Sequence, residues 1–334
     1  MRLLITGGAG FIGSHFVRTV LDGGYAGYEQ ARVTVLDKLT YAGNRDNLPA
    51  SHPRLDFVRG DIRDSALLHR LLPGHDAVVH FAAESHVDRS LTSAGEFVRT
   101  NVEGTQTLLD ACLATGVERV VHVSTDEVYG SITEGSWTED RPLLPNSPYA
   151  ASKAASDLIA RSYWRTHGLN VSITRCSNNY GPYQHPEKLI PLFVTQLLEG
   201  LPVPLYGDGG NIREWLHVED HCRAIALVLS KGGAGEVYNI GGGNEQSNLH
   251  ITDRLLELCG ADRSMIVHVP DRKGHDLRYA LDETKIRETL GYAPEVPFEQ
   301  GLADTVAWYR DNPGWWKPVK QRGAAAASQE GTVQ

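Results

Sequence analysis

Short apolar runs recur along the first half of the chain, each flanked by glycine or polar residues. They fall at Arg2–Thr6, Arg32–Leu36, Leu55–Val58, Ala77–Phe81, Val120–Val123 and Val171–Thr174. Between them lie longer stretches with helical periodicity, including Phe11–Leu21, Phe97–Ala114 and Tyr149–Thr166. Runs of this length without internal alternation predict strands buried on both faces. Their alternation with helical patterns predicts a parallel sheet covered by helices on both sides. After about Arg175 the rhythm breaks. Pro182, Pro186, Pro191, Pro202 and Pro204, with Gly207-Asp208-Gly209-Gly210, mark longer loops. A smaller α+β region is expected there, with Val218–Leu229 and Val237–Ile240 as segments able to return to the main sheet.

The first turn gives this pattern chemical meaning. Gly7-x-x-Gly10-x-x-Gly13 follows the first strand and opens the first helix, and Asp37 ends the second strand 24 residues after Gly13. Gly7 permits the tight turn, Gly10 lets a pyrophosphate approach the helix N-terminus, and Gly13 lets helix pack closely on strand. The expected fold is a Rossmann-type doubly wound parallel sheet over residues 1–176, with 218–240 able to rejoin it. A substrate-binding domain is expected over 177–320 and a disordered tail over 323–334. A carboxylate at Asp37 favours NAD over NADP, because it accepts from ribose hydroxyls and repels a 2′-phosphate; the adjacent Lys38 works against this. Asp61 and Ile62, just after the third strand, are placed to meet the adenine.

Two further constellations define the reaction. Tyr149 and Lys153 stand four apart on one helix and so share a face. A tyrosine is a weak base at neutral pH unless a nearby ammonium and the nicotinamide charge favour the phenolate. Thr125, at the end of a strand, is placed to bind the same substrate hydroxyl. Asp126-Glu127 comes next. An alcohol dehydrogenase has no use for two acids here, but a dehydratase does. Oxidising C4 of a hexose makes the C5 proton acidic and the C6 hydroxyl a leaving group. One carboxylate must then be ionised and the other protonated, and two carboxyls in one pocket tend to split their pKa values. Adjacent side chains on a strand point to opposite faces, so both reach one sugar only where the strand has ended and the backbone turns.

Composition adds exclusions. The chain has 334 residues, 41% hydrophobic and 22% charged, with a net charge of −9. That balance argues against a nucleic-acid surface. No apolar run reaches the roughly 18 residues of a membrane span. The N-terminus lacks a signal region, and the four cysteines are far apart, so a reduced cytoplasmic protein without a metal site is expected.

The glycine fingerprint and Tyr149-Ala-Ala-Ser-Lys153 resemble the extended short-chain dehydrogenase/reductase family. Within it, Ser124-Thr-Asp-Glu-Val-Tyr-Gly130 is similar to the dTDP-glucose 4,6-dehydratases. So are His80–Ser90, Ser177–Tyr183, Pro186–Pro191, Arg213–His221 and Asp271–Asp276. The resemblance runs from Met1 to about Trp316. It implies conversion of dTDP-glucose to dTDP-4-keto-6-deoxyglucose with NAD, in a homodimer built on two long helices. It makes Tyr149 the redox base, Lys153 its partner, Thr125 the substrate anchor, Asp126 the acid at the C6 oxygen and Glu127 the base at C5. The implied cofactor set is Gly7, Gly10, Phe11, Ile12, Gly13, Asp37, Lys38, Asp61, Ile62, Ala82 and Lys153. Ser85 and Glu187 would face the sugar. Asn178, Arg213, Asn248, Arg272 and His275 would hold the diphosphate, where arginine suits phosphate by bidentate contact. Lys188, Leu189, Pro204, Tyr206 and Tyr279 would surround the base and deoxyribose. His185 and Cys222 depart from the pattern. Physical argument alone leaves the base open among thymidine, cytidine and guanosine.

Overall fold

Seven parallel strands form the centre of the protein in a computed structural model that describes residues 1–330. They are β1 (Arg2–Thr6), β2 (Arg32–Asp37), β3 (Leu55–Arg59), β4 (Ala77–His80), β5 (Arg119–Thr125), β6 (Val171–Cys176) and β7 (Val237–Ile240). Their order across the sheet is β7-β6-β5-β4-β1-β2-β3. Alternate residues feed two cores, as the period of a strand requires. Leu3, Ile5, Val33, Val35, Val79 and Val121 join one core. Leu4, Leu36, Val78, Val120, Val171 and Ile173 join the other. Helix α1 (Phe11–Leu21) covers the first face with Phe16, Val17 and Val20. Helices α2 (Gly104–Thr115) and α3 (Pro148–His167) cover the second with Leu108, Leu109 and Ala160. The strand order reverses between β1 and β4, and the carboxyl ends of these strands open a crevice of the kind that binds ligands in doubly wound sheets.

The chain after β6 divides its contribution. Helix α4 (Val218–Lys231) packs with the first core, and β7 pairs with β6 in register Val237↔Ile173 through Ile240↔Cys176. The remainder builds a three-stranded sheet from Asn178–Tyr180, Ile212–His217 and Glu245–Ser247, and a two-stranded one from Val203–Tyr206 and Ile266–Val269. A separate core of Phe193, Trp215, Ile251, Leu255, Leu302 and Tyr309 underlies them.

Two local features differ from the reading of the sequence, and a third meets a condition that it set. The stretch expected as one helix over Phe97–Ala114 is continuous but changes its winding. A four-residue helix, Ala94–Phe97, leads into a π-helical segment, Val98–Glu103, before α2 begins. Within it the buried Asn101 side chain donates to Glu84 O (3.0 Å) and Ser152 Oγ (2.8 Å) and accepts from Glu84 N (2.8 Å). These bonds compensate for the wider winding. The run after Gly323, expected to be disordered, lies in a helix drawn from Pro313 to Glu330, in keeping with the high helix propensity of its alanines; residues 331–334 lie outside the described residues. Finally, β5 stops at Thr125, and Asp126–Tyr129 forms a 3-10 turn closed by Gly130 at φ 82°. The turn removes the strand constraint that would have sent the two acids to opposite faces. Among the described residues no helix is long and apolar enough to cross a membrane, and no group of His, Cys, Asp or Glu is arranged to hold a metal ion.

Candidate active site

The crevice is a cavity of about 300 Å³ running from the glycine turn to the Asp126–Tyr129 turn. At one end, Gly7 holds φ 69°, and a Cβ there would lie 2.5 Å from Ala82 N. A Cβ on Gly13 would lie 2.4 Å from Gly7 O, so side-chain-free packing is obligatory at both positions. Gly10, the N-cap of α1, differs: the nearest atom to a Cβ is Gly7 O at 3.3 Å. The space beside it belongs to the cavity, whose wall also includes Phe11, Ile12, Ile62 and Ala82. This is a cradle that a Cβ would fill, at a helix N-terminus, and it fits a pyrophosphate.

Asp37 closes β2 with its carboxylate accepting from Ala9 N (2.9 Å) and Leu39 N (2.8 Å). Burial raises its pKa and these backbone bonds oppose the rise. Lys38 is engaged by Asp61 at 3.0 Å, and Arg63 grips the same carboxylate at 2.8 Å. Burial raises the Asp61 carboxyl, but the Arg63 and Lys38 contacts outweigh it and hold it at about 2. A dinucleotide whose ribose faces Asp37 therefore meets an anionic wall, with Lys38 already paired.

Ser147 caps α3 by accepting from Ala150 N (3.1 Å), and Pro148 sits in its first turn. That start fixes Tyr149 and Lys153 on the cavity wall beside Thr125, Asp126 and Glu127. Lys153 Nζ donates to Val123 O (2.8 Å), and burial lowers its pKa to about 8 against the opposing charge of Asp157. The Tyr149 phenol departs from the expectation that Lys153 brings it down. Burial and then the Glu127 charge push it well up, and the Thr125 hydroxyl works the other way. Further positive charge at the nicotinamide position is what this phenol needs to ionise.

The two acids differ in surroundings. Asp126 is 2% exposed, and burial, then Glu127, then Glu214 raise its pKa well above the carboxylate range. Its Oδ2 has no hydrogen-bond partner among the described residues. Glu127 is half-buried; burial raises its pKa too, but Arg272, Lys188 and Arg213 all oppose that rise. The environments favour a protonated Asp126 beside a Glu127 that ionises more readily.

Of the residues expected to meet substrate, Ser85, Asn178 and Lys188 share the cavity wall with the five catalytic candidates. Lys188 Nζ donates to Ser85 O (2.7 Å). The others stand outside that lining. Glu187 is clasped by Arg89 at 2.6 Å, with His86 3.6 Å away. Arg213 is buried, stacks 4.3 Å from the Tyr279 ring centre and donates to Asp276 O (2.8 Å), while Tyr279 donates to Asp276 Oδ2 (2.5 Å). Asn248 begins a helix with its Oδ1 unpartnered among the described residues. Arg272 and Tyr206 both approach Asp88, at 3.5 and 3.4 Å, and His275 sits edge-on to Tyr206 while bonded to Asp271 (2.6 Å). Leu189 opens the helix Leu189–Leu198 and Pro204 lies in a strand opposite Val267; neither lines the cavity. Reading the sequence missed Tyr41, which Arg89 overlies at 4.1 Å and His185 meets edge-on. It also missed the cavity-lining Glu84, Cys176 and Gln184. Glu84 lies inside the His80–Ser90 motif, where no role was assigned to it, whereas Tyr41, Cys176 and Gln184 fall outside the motifs and only the fold brings them in.

A family model described as GDP-mannose 4,6 dehydratase matches residues 4–305. The chain is 60% identical to a dTDP-glucose 4,6-dehydratase of Streptomyces niveus over 330 residues, 98% of each chain. It is 61% identical to one from an Actinoplanes species, covering 95% of this chain and all of the relative. The crystal structure of DesIV, a dTDP-glucose 4,6-dehydratase from Streptomyces venezuelae with NAD and TYD bound, superposes with a TM-score of 0.95 at 66% identity, over 96% of this chain and 100% of that one. A UDP-glucose 4-epimerase of Thermotoga maritima shares the fold at 33% identity and TM-score 0.86, over 93% and 99% of the two chains. Likeness of this degree, along the full length of both partners, makes the chain a member of the dTDP-glucose 4,6-dehydratase family of extended short-chain dehydrogenases/reductases.

Proposed function

We propose that the protein is an NAD-dependent dTDP-glucose 4,6-dehydratase, forming dTDP-4-keto-6-deoxyglucose and water. The observation that carries this reading is one cavity wall bearing both Tyr149-Lys153 and an Asp126-Glu127 pair with contrasting environments. NAD, which Gly10, Asp37 and Lys153 would hold, would supply the acceptor for a hydride from C4 and the donor of a hydride to C6. Tyr149 accepts the C4 hydroxyl proton, Thr125 holds that oxygen, and Lys153 orients the nicotinamide ribose. Glu127 then removes the C5 proton, Asp126 protonates the departing C6 oxygen, which leaves as water, and the proton held by Glu127 returns to C5 as C6 receives hydride. The order is forced, because the C5 proton is acidic only beside a C4 ketone.

Asn178, Arg213, Asn248, Arg272 and His275 are assigned to the diphosphate. Lys188, Leu189, Pro204, Tyr206 and Tyr279 are assigned to the base and deoxyribose, and Ser85 and Glu187 to the sugar. The cations that oppose the rise in Glu127 suit an anionic substrate on an otherwise acidic chain. A homodimer through α2 and α3 is supported by apolar side chains left open on them and just before them: Val98 is 54% exposed, Leu113 38% and Leu158 57%. A cytoplasmic setting fits four unpaired thiols.

Incubation with dTDP-glucose should release water and yield the 4-keto-6-deoxy product. The Asp126→Asn, Glu127→Gln double variant should reduce NAD transiently yet fail to dehydrate. Full turnover by that variant would remove the two acids from the mechanism.

A further inference from the structure

We infer that Arg175, Asp157 and Tyr129 form a buried strut that sets the acid pair against the Tyr149–Lys153 pair, and so act as positioning residues for the elimination. The inference rests on the dehydratase reading and concerns residues that touch none of the reacting atoms. Tyr149 and Lys153 ride on α3, whereas Asp126 and Glu127 ride on a short turn after β5. Oxidation and elimination act on neighbouring carbons of one sugar, so these two platforms must keep a fixed separation.

The strut spans that separation. Asp157 lies on α3 one turn beyond Lys153. Its Oδ2 receives Arg175 Nε at 2.9 Å, and its Oδ1 lies 3.3 Å from His122 Nε2. Arg175, 5% exposed on β6, turns its Nη1 to the Tyr129 hydroxyl at 2.7 Å and lies 4.7 Å from that ring's centre. Tyr129 is the last residue of the turn that carries the acids. Its hydroxyl donates in turn to Asn239 Oδ1 (2.9 Å) on β7, and its ring stacks on Trp137 at 5.8 Å. One guanidinium thus bonds the redox helix with one arm and the acid-bearing turn with another. The rigid fork of arginine suits such a two-sided link, and lysine cannot reproduce it. Burial raises the Asp157 carboxyl, but Arg175 and His122 outweigh it and hold it at about 2. A dry ion pair like this gives little net stability over an apolar core; fixing the two platforms is a function that would retain it.

The test is stopped-flow turnover of dTDP-glucose by the full-length holoenzyme, following reduced nicotinamide by absorbance and the 4-keto product by chemical quench. Tyr129→Phe keeps the ring and its stacking but removes the hydroxyl. The elimination step should slow roughly tenfold, the effect of one lost bond to a charged group. The hydride step should stay within about threefold, so reduced nicotinamide accumulates. Arg175→Lys keeps a charge beside Asp157 but loses the second arm, and should give the same accumulation. A purely structural role would depress both steps together or only lower the melting temperature; either result, or wild-type kinetics in both variants, overturns the strut. Should the wild-type enzyme release no water from dTDP-glucose, the functional reading itself falls. If it does release water and the variants match it, the strut alone falls.

Discussion

Adding one methyl group at Gly10 or at Gly13 should produce opposite failures, although the two glycines belong to one turn. At Gly10 the backbone angles are φ −76° and ψ 179°, open to any residue, and a Cβ would meet only Gly7 O, at 3.3 Å. Folding should lose little beyond the poorer alanine cap, about 1 kcal/mol. The methyl would instead occupy the cradle beside the N-terminus of α1. A pyrophosphate held off from it forfeits one or two bonds worth about 1.5–3 kcal/mol each, which weakens NAD roughly 10- to 100-fold or more. At Gly13 a Cβ would sit 2.4 Å from Gly7 O, 3.0 Å from Gly8 Cα and 3.1 Å from Gly7 C. All three are backbone atoms and cannot swing away. Overpacking of this kind costs about 1–3 kcal/mol, only partly offset by the better helix propensity of alanine. The melting temperature should fall by a few degrees. The assay is thermal unfolding of nucleotide-stripped protein with and without NAD, alongside an NAD titration. Gly10→Ala should melt near wild type but lose most of the NAD-induced shift, whereas Gly13→Ala should melt lower in both conditions. Wild-type NAD affinity in Gly10→Ala, or a wild-type melting temperature in Gly13→Ala, would refute the reasoning.

The electrostatics give two more expectations. Asp37→Ser should admit NADP, because a carboxylate about 4 Å from a 2′-phosphate opposes it by about 4 kcal/mol; comparing the two cofactors by titration checks it. The isolated elimination step should follow a bell-shaped pH profile. Its acid limb reflects loss of the ionised base at Glu127, and its alkaline limb loss of the protonated acid at Asp126, whose environment drives its pKa upward. The same shift bears on stability. Asp126 binds its proton more tightly folded than unfolded, so its contribution is favourable below the unfolded carboxyl pKa and is lost as pH rises through the folded value. Asp126→Asn should therefore melt above wild type at neutral and alkaline pH while losing dehydration, and equal melting temperatures would contradict the burial argument.

The central sheet was legible because buried parallel strands write themselves as apolar runs such as Leu3–Ile5 and Val120–Val123. The glycine turn was legible because each glycine answers to a local demand. The relation of Asp126 to Glu127 was less so: Tyr129-Gly130 hinted at a turn, but the 3-10 geometry and the contrast between burial and cations arise from Arg213, Arg272 and Lys188, far along the chain. Motif likeness named Glu187 and Lys188 together, yet the fold turns Lys188 to the cavity wall and hands Glu187 to Arg89. Asn101 was invisible for the same reason. Its three bonds join segments 17 and 51 residues away, and helical periodicity carries no record of them.

The π-helical segment at Val98–Glu103 acts as a phase shift. Residues before and after it are out of step by one position relative to a regular helix. Downstream, a Cβ on Gly104 would lie 2.7 Å from Ile62 Cδ1, so the nucleotide side fixes the angular setting of α2. Upstream, Phe97 meets Tyr149 edge-on at 6.2 Å, so the reaction side fixes the setting of the preceding turn. A regular α-helix satisfies only one of these at a time. Deleting one residue here would give a better-formed helix and turn Phe97 through about 100°. A change that improves the secondary structure would thereby misalign the two ends of the site.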